Sequence, residues 1–274
     1  EKRSHAEPLI DKKKTNIPIE AECISTAVID GLNKSQILDL EIIEGNRKIP
    51  LKEFFTVTDD KSDVLTVEGD LSVVKYLGAK MKSGKMIING NTGMHLGSEM
   101  SGGTIEVNGD IGDWAAPQMS GGVIKVSGDG GHCIACAYRG ASKGVKGGVI
   151  IIEGSVKNEI GHGMSNALII VKGNVGDFAG VNMNSGTIII CGETGIRTGA
   201  GMKRGTIISL NEIKLLPGFT YDCEYSPSFF SLLFRNLKDK GFLNMQSKYI
   251  NGNYRRYSGD AVELNKGEIC TFNN

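Results

Sequence analysis

The sequence predicts an all-β solenoid, in which successive short coils stack on one another as a parallel sheet. Three observations support this fold class. A glycine-rich motif recurs with a period of 19 residues between about residues 65 and 209, and alternating aliphatic residues precede each recurrence. Aromatic residues make up only 6% of the 274 residues, as expected where aliphatic ladders fill a core. A fixed period of this length is the signature of a repeat architecture.

The glycine that closes each predicted strand marks the period. The interval is 19 residues, apart from a two-residue insertion in the first interval and a seven-residue insertion in the fourth. A second and a third glycine usually follow three and seven residues later. Glycine permits positive φ and close approach of neighbouring coils, so we expect these residues at tight corners. They are Gly90, Gly93, Gly97, Gly109, Gly112, Gly173, Gly176, Gly180, Gly192, Gly195 and Gly199.

Each coil, here called a rung, contributes a strand with one face in a core. Apolar residues stand two and four positions before the closing glycine, which is the alternation of a half-buried strand. Neighbouring strands lie about 4.8 Å apart, and about seven rungs are predicted. A 19-residue perimeter leaves room for the inward side chains and little else, so we expect no internal ligand cavity.

One methionine stands at the same position in six of the seven rungs. A methionine ladder could be a path for a soft metal, but thioethers that fill a repeated gap in a core are the favoured interpretation. The residues are Met81, Met100, Met119, Met164, Met183 and Met202, with Val145 taking the place after the long insertion.

The outward residue of the later strands is also apolar. Glu106 and Lys125 occupy this position in the middle rungs, whereas isoleucine occupies it in the last four. A monomer seldom leaves such a patch in water. We therefore predict that the C-terminal segment or a partner subunit packs on a stripe formed by Ile151, Ile170, Ile189 and Ile208.

The remaining chain divides into end pieces around a β-helix at 61–212. Residues 1–16 are predicted to be a polar N-terminal arm, a tail or a segment that extends over a partner. Residues 17–60 are the expected N-terminal cap, since solenoids need atypical pieces to cover the open edge of the first rung. Residues 213–274 are predicted to form a C-terminal helix and tail.

The C-terminal helix has clear boundary signals. Ser226 is the predicted N-cap, Pro227 stands in the first turn and Gly241 lies just past the end. Its apolar face is predicted to carry Phe229, Phe230, Leu233 and Leu237. The polar tail that follows, with Tyr249, Tyr254, Arg255, Arg256 and Tyr257, is expected to run over a surface.

Charge and hydropathy exclude several classes of function. The 31 basic residues balance the 31 acidic ones, which argues against a nucleic-acid surface. No stretch of eighteen apolar residues and no signal-peptide core occurs, so neither membrane insertion nor secretion is supported. A cytoplasmic globular protein is expected, and its six cysteines are interpreted as free thiols.

The seven-residue insertion lies between Gly131 and Ser142 and is predicted to bulge as an exposed loop. It carries a His-Cys-x-x-Cys sequence, and His132, Cys133 and Cys136 are weak metal candidates. A structural zinc needs four ligands and an iron–sulfur cluster four thiolates, and no other cysteine has pair spacing. We therefore expect no metal here. Arg139, Lys143 and Lys146 are either solvated charges or a cradle for an acidic partner segment or substrate tail.

The repeats resemble a known family. Segments such as Gly173-Asn-Val-Gly-Asp-Phe-Ala-Gly and Gly192-Glu-Thr-Gly-Ile-Arg-Thr-Gly resemble the right-handed parallel β-helix of the glutamate synthase C-terminal domain and its relatives. Within that group, the Gly45-Asn-Arg-Lys-Ile-Pro-Leu-Lys-Glu-Phe-Phe segment and the ending Tyr221-Asp-Cys-Glu-Tyr-Ser-Pro look like the C subunit of formylmethanofuran dehydrogenase. The resemblance covers about residues 18–242.

That family implies a scaffold role in an enzyme complex. The complex reduces CO2 reversibly and attaches the formyl group to methanofuran, a step of methanogenesis in archaea. Its tungsto- or molybdopterin and iron–sulfur clusters belong to formate-dehydrogenase-like and ferredoxin-like subunits, and a metal-dependent amidohydrolase subunit handles the formyl amide. The present sequence lacks any acid–base pair, nucleophile or cofactor ligand set, so we expect a chain that joins these subunits, with neither catalytic residues nor a cofactor of its own.

Two alternatives stay open at the level of sequence. A glutamate-synthase-type β-helix would position an amidotransferase and a synthase domain. The formyltransferase/hydrolase complex of methylotrophic bacteria has an equivalent subunit without the redox partners. An acyltransferase with a left-handed β-helix is disfavoured, because the period is 19 residues and only four histidines are present.

Overall fold

A computed structural model describes residues 3–8, 16–141 and 143–273, without the side chains of 3–8 and 59–62. The strands are β1 Arg3–Pro8, β2 Ile19–Glu20, β3 Glu41–Glu44, β4 Arg47–Pro50, β5 Phe55–Ser62, β6 Val64–Glu68, β7 Val74–Lys75, β8 Lys85–Asn89, β9 Thr104–Val107, β10 Val123–Val126, β11 Val149–Ile152, β12 Leu168–Val171, β13 Thr187–Ile190, β14 Arg204–Ser209, β15 Thr220–Tyr225, β16 Asn253–Gly259 and β17 Lys266–Asn273. The helices are α1 Thr26–Ile29, α2 Lys34–Leu38, α3 Ser228–Asp239 and α4 Ser247–Ile250, with a 3-10 turn at Leu51–Glu53.

The repeat strands form the centre of one large sheet. From β6 and β8 through to β14, each strand pairs in parallel with the strand of the next repeat. A second ladder of single bridges runs beside it, from Leu71 to Thr194. Two ladders with the same 19-residue offset mean that each repeat turns back on itself before the next one stacks on it. The arrangement is consistent with a parallel β-helix.

The inward side chains make one continuous core. The apolar residue four positions before the closing glycine is fully buried in each rung, and these residues lie in register across the strands. They are Met86, Ile105, Ile124, Ile150, Ile169 and Ile188.

The methionine ladder lies within this core, and its methyl groups fill space that glycine leaves. All six methionines and Val145 are fully buried. A Cβ added to Gly122 would lie 2.6 Å from Met100 Cε, and one added to Gly186 would lie 2.8 Å from Met164 Cε. The glycine before each strand is therefore required because the previous rung's methionine occupies the place of its side chain.

Gly176 and Gly195 differ from the expectation that corner glycines can adopt positive φ. Positive φ belongs to the third glycine of the repeat, such as Gly180 at +67° and Gly199 at +75°. At the second position a Cβ would instead collide with the preceding rung: on Gly195 it would lie 2.7 Å from the Asp177 amide nitrogen. Close approach of backbones, rather than dihedral freedom, requires glycine there.

The N-terminal cap is built from a second, smaller sheet with the order β4-β3-β2-β7. Ile19, Leu51 and Phe54 from this region are fully buried and continue the rung core. Residues 3–8, expected to be a free arm, form β1, which pairs antiparallel with β5 and in parallel with β6 at Ala6. Residues 1, 2 and 9–15 of the predicted arm lie outside the described residues.

The C-terminal region differs more from expectation. The predicted surface tail instead forms β16 and β17, and β17 pairs in parallel with β14 from Lys266 to Thr271. A Cβ added to Gly267 would lie 2.6 Å from Met202 Cε, which repeats the glycine–methionine contact of the earlier rungs. The repeat therefore resumes at β17 after an excursion through β15, α3, α4 and β16. Tyr254, expected at the surface, is fully buried.

Helix α3 begins one residue later than predicted. Its N-cap is Pro227, and Ser226 Oγ donates to the Asn251 carbonyl at 3.4 Å instead of capping the helix. Gly241 follows the helix end with φ +66°, as predicted. Phe230, Phe234 and Leu237 form the buried face, whereas Phe229, predicted in that face, is 58% exposed.

Candidate functional site

Large side chains line one corner of the stacked rungs in a left-handed backbone conformation. At this position φ lies between +57° and +67° in every rung, although no rung has glycine there. Each backbone N–H donates to a carbonyl of the next rung, as from Trp114 to His132 at 2.8 Å. The residues of this corner ladder are Tyr76, His95, Trp114, Cys133, Glu159, Phe178 and Arg197.

The backbone conformation costs about 1 kcal/mol or more at each non-glycine position. Rung-to-rung hydrogen bonding maintains it, and the side chains then project from the corner, half-buried except for the exposed Arg197. Neighbours along the ladder contact one another: the Tyr76 and His95 rings stack at 4.6 Å, and the Arg197 guanidinium lies 5.2 Å from the Phe178 ring centre. The corner ladder is thus a continuous surface strip.

The insertion folds back over this strip through Tyr138. Its ring stacks on Trp114 at 5.7 Å and lies 5.6 Å from His95, and its hydroxyl is 3.0 Å from His95 Nδ1 and 3.3 Å from Ser98 Oγ. Burial raises the pKa of Tyr138, with a smaller opposing effect from the Ser98 hydrogen bond. Burial, together with the charge of Lys75, lowers the pKa of His95. A neutral His95 therefore accepts the Tyr138 hydroxyl proton at Nδ1.

The His-Cys-x-x-Cys segment does not lie in the exposed loop where it was expected. His132 and Cys133 occupy rung positions, because the His132 amide donates to Asp113 Oδ1 at 2.7 Å and the Cys133 amide to the Asn158 carbonyl at 2.9 Å. The exposed part of the insertion is limited to residues 139–143; Ser142 lies outside the described residues. The seven added residues are thus accommodated after the rung corner.

The two cysteines of this segment have different environments. Cys136 is fully buried, its Sγ lies 2.7 Å from the Glu159 carbonyl, and burial strongly raises its pKa. Cys133 is half-buried, and a hydrogen bond from Cys136 lowers its pKa despite partial burial and the charges of Glu159 and Asp113. The structure therefore pairs a sheltered thiol with a more acidic, accessible one.

A cleft of about 230 Å³ opens at this point on the surface. Beside the ring of Trp114 and the Cys133 thiol it contains an ion pair candidate, His162 Nδ1 at 3.0 Å from Glu159 Oε2. The cleft is lined by Trp114, Cys133, Ala137, Tyr138, Arg139, Gly140, Ala141, Glu159 and His162. It is the best-formed concave site on the corner ladder.

The three basic residues of the insertion are only partly brought together. All three are exposed, and Arg139 lines the cleft, whereas Lys143 and Lys146 do not. The Lys143 carbonyl accepts from Gln118 Nε2 at 3.2 Å and the Lys146 amide donates to the Met119 carbonyl at 2.7 Å. Across the described ranges no carboxylate forms an ion pair with these three side chains.

The isoleucine stripe lies on a different face and is covered by the chain itself. Ile151, Ile170, Ile189 and Ile208 are at most 2% exposed. They belong to a second apolar cluster with the buried face of α3 and the aromatic residues of β16 and β17: Phe230, Phe234, Leu237, Leu243, Met245, Tyr254 and Phe272. In the middle rungs the same outward position holds an ion pair, Lys85 to Glu106 at 2.7 Å.

The site residues do not form a metal centre or a recognisable catalytic group. Within the described part of the chain, no group of three or more His, Cys, Asp or Glu residues could hold a metal ion. His132 Nδ1 is 3.4 Å from the Asn158 amide, in a capping position away from a ligand geometry with Cys136. Among described residues, no helix is long and apolar enough to cross a membrane.

Sequence reasoning missed Trp114, Tyr138, Glu159 and His162, which line the cleft. They stand at different positions of the sequence repeat and carry no shared motif. The available signal was positional: Trp114, Cys133 and Glu159 each stand five residues after the closing glycine. Tyr138 could not be placed, because the path of an insertion is not encoded in the period.

Part of the sequence is similar to known enzyme subunits. Over 88 residues, the chain is 45% identical to the C subunit of the molybdenum-containing formylmethanofuran dehydrogenase 1 of Methanothermobacter marburgensis, a match covering 31% of this chain and 22% of that protein. It is 36% identical over 92 residues to the C subunit of the tungsten-containing formylmethanofuran dehydrogenase 2 of Methanothermobacter wolfeii, covering 32% of this chain and 34% of the relative. No protein-family model matches the sequence.

A solved structure extends the similarity to almost the whole chain. The chain matches a chain of the formyltransferase/hydrolase complex (FhcABCD) from Methylorubrum extorquens, determined in complex with methylofuran, with a TM-score of 0.90 and 29% identity. The match covers 98% of this chain and 100% of the other. The resemblance to the C subunit of formylmethanofuran dehydrogenase is confirmed. The sequence matches span about a fifth to a third of the relatives' own length.

Proposed function

We propose that this chain is the scaffold subunit of a formylmethanofuran dehydrogenase complex and joins its amidohydrolase-like subunit to its formate-dehydrogenase-like subunit. The observation that carries the proposal is the match over 98% of the chain to a component of a multi-subunit formyltransferase/hydrolase complex. The relatives named as C subunits support the same role. In this proposal the parallel strands are about seven rungs of a right-handed β-helix, flanked by the cap at 17–60 and the extension at 213–274.

The metals in the relatives' names would be held by other subunits. Molybdenum or tungsten in these enzymes implies a metallopterin, and the proposed complex also contains iron–sulfur clusters and a ferredoxin-like subunit. The residues of this chain do not fit those groups: Cys133 has one neighbouring thiol, and Cys136 is engaged with the Glu159 carbonyl. A cluster needs about four thiolates. No catalytic step is therefore assigned to this chain.

A native purification tests the scaffold role. A tagged chain, recovered from the cells that produce it, should carry the amidohydrolase-like and formate-dehydrogenase-like subunits in native mass spectrometry. The complex should oxidise formylmethanofuran, and the chain alone should not. Recovery of the chain without partners would contradict the proposal.

A second candidate is the equivalent subunit of a bacterial formyltransferase/hydrolase complex, favoured by the structural match. Metal analysis of the purified complex separates the two. Stoichiometric molybdenum or tungsten with iron supports the dehydrogenase, and their absence with retained formyl transfer supports the transferase/hydrolase. Recovery of an amidotransferase and a synthase would instead indicate the glutamate-synthase type.

The exposed cations of the insertion are proposed to contact an acidic partner segment or substrate tail. Arg139, Lys143 and Lys146 stand on the same short loop, and no described carboxylate pairs with them. Charge reversal at the three positions should weaken assembly or substrate binding in a salt-dependent way. Lys34→Glu, a change at an exposed lysine of the cap, is the matched control. Equal assembly and equal substrate KM in both variants would remove this role.

A further inference from the structure

The Cys133–Cys136 pair combines two properties that ordinary buried cysteines lack. The rung corner holds Cys133 at φ +57° and Ala135 at φ +62°, a tight turn that brings the side chains three residues apart to one side. The Cys136 thiol hydrogen-bonds to Cys133 as a result. None of the other four cysteines shares such a neighbour in sequence, and Cys223 is the exposed one among them.

The two thiols differ in access. Cys133 lines the 230 Å³ cleft, where a small molecule can reach its sulfur between Trp114 and Tyr138. Cys136 is fully buried behind it, with Sγ 2.7 Å from the Glu159 carbonyl. An external oxidant therefore meets Cys133 first, and the second thiol is close enough to react only with the product.

The charged groups around Cys133 leave its thiolate accessible. The hydrogen bond from Cys136 lowers the Cys133 pKa, Arg139 acts in the same direction, and Glu159 and Asp113 oppose them. The thiolate, rather than the thiol, is the nucleophile in cysteine chemistry. By contrast, burial raises the pKa of Cys23 and of Cys191 to about 11.

We propose that Cys133 and Cys136 form an oxidisable dithiol site, with Cys133 as the attacking thiol and Cys136 as the resolving thiol. A peroxide is the oxidant class. The Cys133 thiolate attacks one peroxide oxygen, the O–O bond breaks, and a sulfenic acid forms at Cys133 while hydroxide leaves. The Cys136 sulfur then attacks the sulfenic sulfur and water leaves. In sum, two thiols and one hydrogen peroxide give one disulfide and two waters.

The disulfide would change the cleft as well as the sulfurs. Cys136 Sγ could no longer donate to the Glu159 carbonyl, which also accepts from the His162 amide at 3.3 Å. Cys136 directly precedes the segment that carries Tyr138 and Arg139. Oxidation is therefore expected to loosen the insertion where it covers the corner ladder.

Peptide mapping by mass spectrometry tests the site on the reduced full chain, treated with one equivalent of hydrogen peroxide at neutral pH. We expect the peptide that contains both cysteines to lose the mass of two hydrogen atoms, and to regain it on reduction. Cys223 should stay predominantly reduced under the same conditions. Oxidation of Cys223 ahead of Cys133, or no disulfide at the pair, would overturn the proposal.

Three variants assign the roles. Cys136→Ser should let dimedone trap a sulfenic acid at Cys133, because the resolving thiol is gone. Cys133→Ser should leave Cys136 unoxidised, and the matched control Cys223→Ser should form the disulfide as the unmodified chain does. Thermal unfolding of each variant checks that it is folded. If folded Cys136→Ser gave no dimedone adduct, Cys133 would not be the attacking thiol.

Discussion

At the scale of single residues, the repeat separates two reasons for glycine. Gly180 and its equivalents have positive φ, whereas Gly195 lies against the backbone of the rung before it. The corner ladder shows that positive φ alone does not force glycine, since Tyr76 and Trp114 adopt it too. The sequence predicts where the corners are, but it does not distinguish a dihedral requirement from a steric one, because glycine satisfies both.

Replacing Gly195 by alanine should destabilise the protein through close contact alone. The added Cβ would lie 2.7 Å from the Asp177 amide nitrogen and would also meet Asp177 Oδ1 and the backbone of Gly176. We expect the free energy of unfolding to fall by about 1–3 kcal/mol in urea denaturation. The control is Lys157→Ala, at the equivalent position of another rung that already has a side chain. An equal effect of both changes would show that the contact is relieved cheaply.

His95 should make the protein less stable in mild acid. Burial lowers its folded pKa below the usual 6.5, so as pH falls through this value the unfolded chain binds a proton before the folded chain does. The stabilisation from neutral His95 is thus complete above pH 6.5 and is lost as pH falls through the lowered pKa. Urea midpoints measured from pH 8 to pH 5 should fall more steeply for the unmodified chain than for His95→Gln. Identical slopes would contradict this assignment.

At the scale of elements, the excursion between β14 and β17 covers the isoleucine stripe. Helix α3 turns Phe230, Phe234 and Leu237 toward it, and Tyr254 of β16 closes the cluster. The apolar register of β11–β14 predicted that something must cover this face, and the chain's own C-terminal region does so. Its strands could not be predicted, because β16 and β17 have no glycine repeat and Lys266–Asn273 is identified as a rung only through its pairing with β14.

Ile170→Lys should detach the C-terminal cover. The side chain is fully buried, and its loss removes about 1.5–3 kcal/mol of burial and adds an unpaired charge. We expect hydrogen exchange over residues 228–239 to accelerate and the free energy of unfolding to fall by about 3 kcal/mol or more.

Ile196→Lys is the matched control, because Ile196 is 46% exposed. It introduces the same charge and should alter the free energy of unfolding by no more than about 0.5 kcal/mol. If Ile170→Lys exchanged no faster than this control over α3, the packing of the helix on the stripe would contribute little to its stability.

At the scale of the whole molecule, the stack has strands protecting both ends. The cap and β1–β5 lie beyond β6, and β17, β16 and β15 lie beyond β14. An unpaired parallel edge is a template for association. Glycine spacing and hydrophobic period predicted the stack itself, whereas both ends are built from non-repetitive sequence whose pairing follows from tertiary contacts.

Removal of β17 should therefore cause self-association. A chain that ends at residue 258 leaves β14 without its partner strand, and we expect oligomers in size-exclusion chromatography with light scattering. A chain that ends at residue 271 is the control, since it keeps every β14 partner from Lys266 to Thr271. A monomeric short chain would show that another segment protects the β14 edge.

The single 19-residue offset between neighbouring strands has a consequence for how such proteins can change in length. Gain or loss of one whole unit leaves both ladders, the methionines and the glycines in register, so tandem duplication adds a rung without disturbing its neighbours. Each unit lengthens the stack by about 4.8 Å. Proteins that dock at its two ends would then be spaced by a ruler with fixed graduations, and evolution could adjust their separation only in whole steps.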